Sequence, residues 1–172
     1  ARLRPVFDRK HGTITAATSS ALTDGASCIL VMRESRAREL GLRPRAALRS
    51  YAFPALDPRE NMLLGNVYAC PEALERAGLR YQDLDLLEIH EAYAAQVLSN
   101  LQCFEDDDFF KAKLQRQESM GELAPEKINI WGGSMAFGHP FAATGGRLLI
   151  HLMYGLEHVD GSLGLATACA AG

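Results

Sequence analysis

Between residues 84 and 169 this chain alternates two kinds of apolar run, and that alternation restricts its fold more than any other feature. Leu84 to Ile89 is a short, nearly continuous apolar stretch, and Leu163 to Cys169 is a second one. Runs of that length without a regular polar alternate face predict strands covered on both sides. Between them, Glu91 to Gln102 predicts a helix, with Tyr93, Val97 and Leu101 on one stripe and Ala94 and Leu98 beside it. Phe141 to Leu156 predicts the longest helix, its apolar face built from Leu148, Leu149, Leu152, Met153 and Leu156. Strands alternating with helices predict a largely parallel sheet with helices packed over it, an α/β unit.

The first half reads less sharply. Residues 1 to 24 are rich in Thr and Ser and predict an irregular leading segment. Gly25 to Met32, carrying Ile29, Leu30 and Val31, predicts a strand, and Ala47 to Phe53 another. Ser35 is a candidate cap for a short helix that Gly41 ends. Asp57-Pro58-Arg59-Glu60 predicts a helical start with proline at its first position. Pro71 to Ala77, closed by Gly78, predicts another short helix. Residues 103 to 128, with Glu105-Asp106-Asp107-Asp108, read as a charged, solvated insertion.

The chain has 172 residues, enough for one domain with a real core. A net charge of −3 gives no electrostatic case for nucleic acid or an anionic membrane as partner. No apolar run is long enough to span a bilayer, and the first residues carry no signal-peptide pattern. Cys28, Cys70, Cys103 and Cys169 are scattered, without a CxxC pair or a zinc-like His spacing. They read as reduced thiols, and no metal site is expected. Both ends, Ala1-Arg2-Leu3 and Ala171-Gly172, read as cuts in something longer.

The chemistry concentrates in the stretch Gly132-Gly133-Ser134-Met135-Ala136-Phe137-Gly138-His139-Pro140-Phe141-Ala142-Ala143-Thr144-Gly145. Pro140 biases His139 toward extended backbone and suits the first position of the long helix. The imidazole then faces the positive end of a helix dipole, which favours the neutral ring that a general base needs. In open α/β sheets, ligands gather beyond the carboxyl ends of the strands. His90 ends the third predicted strand there, and Cys169 ends the last, followed by Ala170, Ala171 and Gly172. The N–H groups of Ala171 and Gly172 are candidates for facing a developing oxyanion. A histidine beside Cys169 would raise its thiolate fraction. Each residue also has a plainer reading. His139 and His90 fit helix caps, Glu91 a favourable first-turn carboxylate, and Cys169 a small buried hydrophobe. Gly132-Gly133 does not continue into a dinucleotide fingerprint.

Four segments resemble, in order, the C-terminal half of the thiolase family. They are Gly12-Thr13-Ile14-Thr15-Ala16-Ala17 with Leu22-Thr23-Asp24-Gly25-Ala26; His90-Glu91-Ala92-Tyr93-Ala94, similar to the NEAF motif in its HEAF variant; the Gly132 to Gly145 block, similar to GGxxxxGHPxGxTG; and Cys169-Ala170-Ala171-Gly172, similar to the start of CxGG. The resemblance implies α/β/α layers around a mixed, mostly parallel sheet whose last strand is missing here. It implies acyl transfer between 3-ketoacyl-CoA and CoA in fatty-acid β-oxidation. His139 would activate the acyl-accepting cysteine, Cys169 would act as acid and base on the acetyl-CoA carbon, and His90 would help form an oxyanion hole. Gly138, Phe141 and Glu91 would border the substrate. No covalently bound cofactor is implied, and CoA is a substrate. Implied partners are acyl-CoA, CoA, the enzyme's own N-terminal half, a second copy in a homodimer and a hydratase/dehydrogenase subunit; the setting is cytoplasmic in a bacterium or mitochondrial in a eukaryote. The family's nucleophilic cysteine matches none of Cys28, Cys70 or Cys103. Thr18 stands where asparagine is expected, and Ala142 and Ala171 stand where glycine is common. Two other readings stay open: a thiolase-like binding or scaffold module without turnover, and a cysteine hydrolase using His139 and Cys169.

Overall fold

The computed structural model describes residues 3–170, so Ala171 and Gly172 lie outside the described residues. Two strands, β1 (Leu86–Ile89) and β2 (Gly164–Thr167), pair in parallel, with Leu86 opposite Gly164 and Ile89 opposite Thr167. The helices are α1 (Glu34–Glu39), α2 (Pro58–Asn61), α3 (Gly65–Ala77), α4 (Ala94–Glu105), α5 (Asp107–Phe109), α6 (Ser134–Phe137) and α7 (Ala142–His158). All four residues of β1 are buried, as a strand covered on both faces must be.

Alternation along β1 sorts the two layers. Leu87 and Ile89 join Val67, Cys70 and Leu74 of α3, Phe104 of α4, and Tyr81, Leu84, Phe110 and Leu123 in one core. Leu86 and Glu88 face α7 instead. A Cβ on Gly155 of α7 would lie 2.9 Å from Leu86, and His151 of α7 comes 3.9 Å from Glu88. The buried stripe of α7 is Thr144, Leu148, Leu152 and Gly155. Leu149, expected on that face, is 41% exposed. Beyond the other edge of β1, Asn129 takes the place of a third strand. Its N–H donates to the Leu87 carbonyl, while its side chain accepts from Ile89 N–H and donates to Ile89 C=O.

Several sequence expectations are corrected. The runs 25–32 and 47–53 form no strand: they pair with no ladder among the described residues, and Leu30, Val31 and Phe53 are 78%, 79% and 88% exposed. The α3 helix starts at Gly65, not Pro71, because Val67 and Cys70 are fully buried and carry the helix through the proline. Gly78 closes it as expected, in the left-handed conformation at φ 67°, with Leu79 N–H donating to Leu74 C=O. The α4 helix starts three residues later than Glu91, since Glu91 and Tyr93 are engaged elsewhere. Tyr93 is extended and bridges to Ser19. The stretch from 103 to 128 is not simply solvated. It places Phe104, Phe110 and Leu123 in the core, with acidic residues such as Asp106 and Asp107 outside. Residues 1–24 are largely irregular among those described, with a turn at 9–11 and a short 3₁₀ helix at Ala16–Thr18. Thr18 supports that helix itself, its Oγ1 accepting from Thr15 N–H at 2.9 Å.

Candidate functional site

The site assembles where the two strands end. His90 follows β1 directly, and its N–H donates to the carbonyl of Thr167, the last residue of β2. This backbone bond ties His90 to the chain that continues, two residues on, into Cys169. Glu91 then turns away: its carboxylate accepts from Asn129 Nδ2 at 2.8 Å and from Met135 N–H at 3.0 Å, at the start of α6. A Cβ on Gly133 would sit 2.3 Å from that carboxyl carbon, so this position must be glycine for Glu91 to reach the helix end.

The loop carrying His139 is built around Gly138. Its φ of 90° and ψ of 178° belong to glycine, and a Cβ there would fall 2.3 Å from the Thr23 side chain. Residues 19–27 run along this loop: Ser20 N–H donates to Ala92 C=O, His139 N–H to Ala21 C=O, and Ser27 Oγ to Ala143 C=O. The leading segment thus binds both histidine-bearing loops. Pro140 does not open α7. The helix begins at Ala142, after Phe141 has taken a left-handed φ of 44° with ψ −102°. For a bulky residue this is strained backbone, the kind that surrounding structure must enforce.

The ring centroids of His90 and His139 lie 4.2 Å apart, and that of Phe141 lies 4.8 Å from His139. His139 Nδ1 sits 2.8 Å from Thr144 Oγ1, and His90 Nδ1 sits 2.7 Å from Ser134 Oγ. Ser134 Oγ also accepts from Arg147 at 2.6 Å. Burial first, then the His139 ring and the Arg147 cation, lower the His90 pKa to about 4. Burial and Arg147 also hold His139 below the usual imidazole range. Both rings are therefore neutral near pH 7. The neutrality expected from a helix dipole is present, and burial with a nearby guanidinium explains it. Burial pushes the half-buried Cys169 thiol above its ordinary value, so its resting form is the protonated thiol, not the thiolate expected from a neighbouring histidine. A protonated resting thiol does not favour a hydrolase with Cys169 as nucleophile.

Sequence profiles and relatives decide the family. The profile described as "Thiolase, C-terminal domain" matches residues 42–172, and that described as "Thiolase, N-terminal domain" matches residues 1–35. The chain belongs to the thiolase family. It is 55% identical to the 3-ketoacyl-CoA thiolase of Serratia proteamaculans over 172 residues, covering all of this chain and 39% of that protein. The 3-ketoacyl-CoA thiolase of Erwinia tasmaniensis matches at 55% over the same shares. Among solved structures, the acetyl-CoA acetyltransferase of Bacillus anthracis superposes with a TM-score of 0.82 at 33% identity, over 99% of this chain and 38% of that one. Human mitochondrial 3-ketoacyl-CoA thiolase does so with a TM-score of 0.79 at 31% identity, over 99% and 39%. The chain thus spans about two fifths of the length of these thiolases, and the α/β fold expected from its sequence is the thiolase fold.

Within this thiolase chain, the structure brings His90, His139, Phe141 and Gly138 together, with Glu91 fastening the loop between them. Cys169 lies just past β2 at the same carboxyl edge. Sequence reasoning missed Ser134, Thr144, Arg147 and Asn129 as site-building residues. Arg147 had a usable signal: it falls on the helical face of Thr144, Leu148 and His151, where a cation needs a reason. Glu88 had another, a carboxylate in the middle of a buried strand. Among the described residues no His, Cys, Asp and Glu cluster could hold a metal, and no helix is long and apolar enough to cross a membrane.

Proposed function

We propose that this chain supplies the acid–base half of the active site of a 3-ketoacyl-CoA thiolase of fatty-acid β-oxidation. The observation that carries it is the neutral His90–His139 pair, 4.2 Å apart, at the strand end that leads to Cys169. The acyl-accepting cysteine is contributed from outside these residues. With Nδ1–H donated to Thr144, His139 presents Nε2 to take that cysteine's proton. The thiolate attacks the 3-keto carbon, and His90 donates a hydrogen bond to the carbonyl oxygen as charge develops there. The C2–C3 bond breaks, and Cys169 gives its proton to the departing acetyl-CoA carbon. The resulting Cys169 thiolate takes a proton from CoA. CoA sulfur then attacks the acyl-enzyme, and the freed cysteine recovers its proton from His139. A thiol held protonated by burial fits the donor role of Cys169.

Gly138, Phe141 and Glu91 shape the substrate side of this edge, Phe141 through its ring 4.8 Å from His139. The backbone N–H groups of Ala171 and Gly172 complete the proposal as oxyanion donors. Pairing with the rest of the thiolase, a homodimer, a hydratase/dehydrogenase subunit and a cytoplasmic or mitochondrial setting belong to the same reading; free thiols at Cys28, Cys70, Cys103 and Cys169 suit a reducing compartment. The test is thiolysis of acetoacetyl-CoA by the 172-residue chain and by the full-length enzyme. Activity is expected only in the latter and lost in His139→Ala. Cleavage by the isolated chain that depends on Cys169 would overturn the assignment.

A further inference from the structure

Two side chains outside the reacting groups converge on His90. Ser134 is fully buried, and its hydroxyl makes two contacts, with His90 Nδ1 at 2.7 Å and with Arg147 Nη2 at 2.6 Å. A guanidinium has only N–H donors and accepts nothing, so Arg147 must donate to Ser134 Oγ. The single hydroxyl proton of Ser134 is then free for its other neighbour, His90 Nδ1. Were Nδ1 protonated instead, the hydroxyl would accept twice and its own proton would be buried with no acceptor, a costly arrangement. The adjacent positive charge also polarises the O–H and strengthens it as a donor. Arg147 itself is half-buried, and burial works against its charge more than the attraction of Glu88 and Glu91 favours it.

We propose that Arg147 and Ser134 are positioning residues that lock His90 in one tautomer, Nδ1 accepting from Ser134 and Nε2 carrying the proton. His90 thereby always presents an N–H donor, never a lone pair, to the acyl oxygen. The proposal rests on the reading of His90 as an oxyanion donor. It explains why a histidine serves at this position: an imidazole is a reliable donor only when its other nitrogen is fixed.

The test uses the full-length enzyme. Ser134→Ala is expected to lower kcat about 10- to 100-fold with KM nearly unchanged, milder than the roughly 10⁴-fold loss seen when a catalytic histidine is held in the wrong tautomer. In a His90→Asn background, whose amide N–H₂ donates without any tautomer choice, Ser134→Ala is expected to cost less than about 2-fold more. Equal losses in both backgrounds would mean that Ser134 merely packs, and would overturn the proposal. So would an undiminished kcat in Ser134→Ala. Should Ser134→Ala not fold, ¹⁵N-histidine spectra of the unaltered enzyme decide: His90 protonated at Nε2 supports the lock, and protonation at Nδ1 refutes it. Unchanged kcat in His90→Ala would instead sink the donor reading of His90, and the lock with it.

Discussion

Thr144→Val keeps the shape of a side chain that is 2% exposed and removes only its hydroxyl. That hydroxyl lies 2.8 Å from His139 Nδ1. In the proposed mechanism His139 takes a proton from the attacking thiol, and its Nδ1–H then becomes a charged donor to Thr144 Oγ1. Hydrogen bonds to charged groups contribute about 1.5–3 kcal/mol. At about 1.4 kcal/mol per tenfold in rate, kcat/KM should fall roughly 10- to 150-fold. The loss should appear in kcat, since the bond strengthens only once the ring is charged. Thr144→Ser, which restores the hydroxyl, should recover most of it. The assay is thiolysis of acetoacetyl-CoA by the full-length enzyme at saturating CoA. A Thr144→Val enzyme with unchanged kcat, or with a raised KM alone, would refute the reasoning that Thr144 holds the base.

Gly138→Ala should destabilise the protein by at least about 2 kcal/mol in urea, combining about 1–3 kcal/mol of backbone strain with the clash at Thr23; a change under about 0.5 kcal/mol would show that the loop relaxes freely. Phe110→Ala should cost about 3–5 kcal/mol, as for a core aromatic, whereas a near-neutral result would return residues 103–128 to the solvated surface. Burial raises the Glu88 pKa to about 7 from the ordinary 4.5, with Arg147 opposing and Glu91 assisting. The fold therefore prefers protonated Glu88, and that stabilisation is complete below pH 4.5 and lost as pH rises through about 7. Glu88→Gln removes this dependence, so its stability relative to the unaltered protein should improve by about 3 kcal/mol between pH 4.5 and pH 8; a pH-independent difference would place the carboxylate in water.

Much of the fold was legible because burial on both faces leaves a plain mark. Leu84 to Ile89, Leu163 to Cys169 and the stripe of α7 each advertise their element through apolar spacing, and each formed within a few residues of the expected bounds. The runs at 25–32 and 47–53 carry the same mark without forming strands, since an apolar run records only that a surface is to be covered. Leu30, Val31 and Phe53 stay exposed among the described residues, on chain with no ladder partner. Charge density misled at 103–128, where the spacing of Phe104 and Phe110 outweighs the acidic residues between them. His90, His139 and Cys169 were recognisable as isolated chemistry at strand ends. Ser134 and Arg147 were not, because a hydroxyl 44 positions from His90 has no local signature until the sheet brings it within 2.7 Å.

In the proposed mechanism Cys169 delivers and removes the proton on the acetyl-CoA carbon, at the edge where His90 and His139 meet. Deuterium uptake into the methyl group of acetyl-CoA, followed by NMR in D₂O with the full-length enzyme, tests it most directly. Exchange should be lost in Cys169→Ala while acetyl transfer from acetyl-CoA onto the enzyme's cysteine, which breaks no carbon–carbon bond, persists. Exchange at the unaltered rate in Cys169→Ala would contradict it.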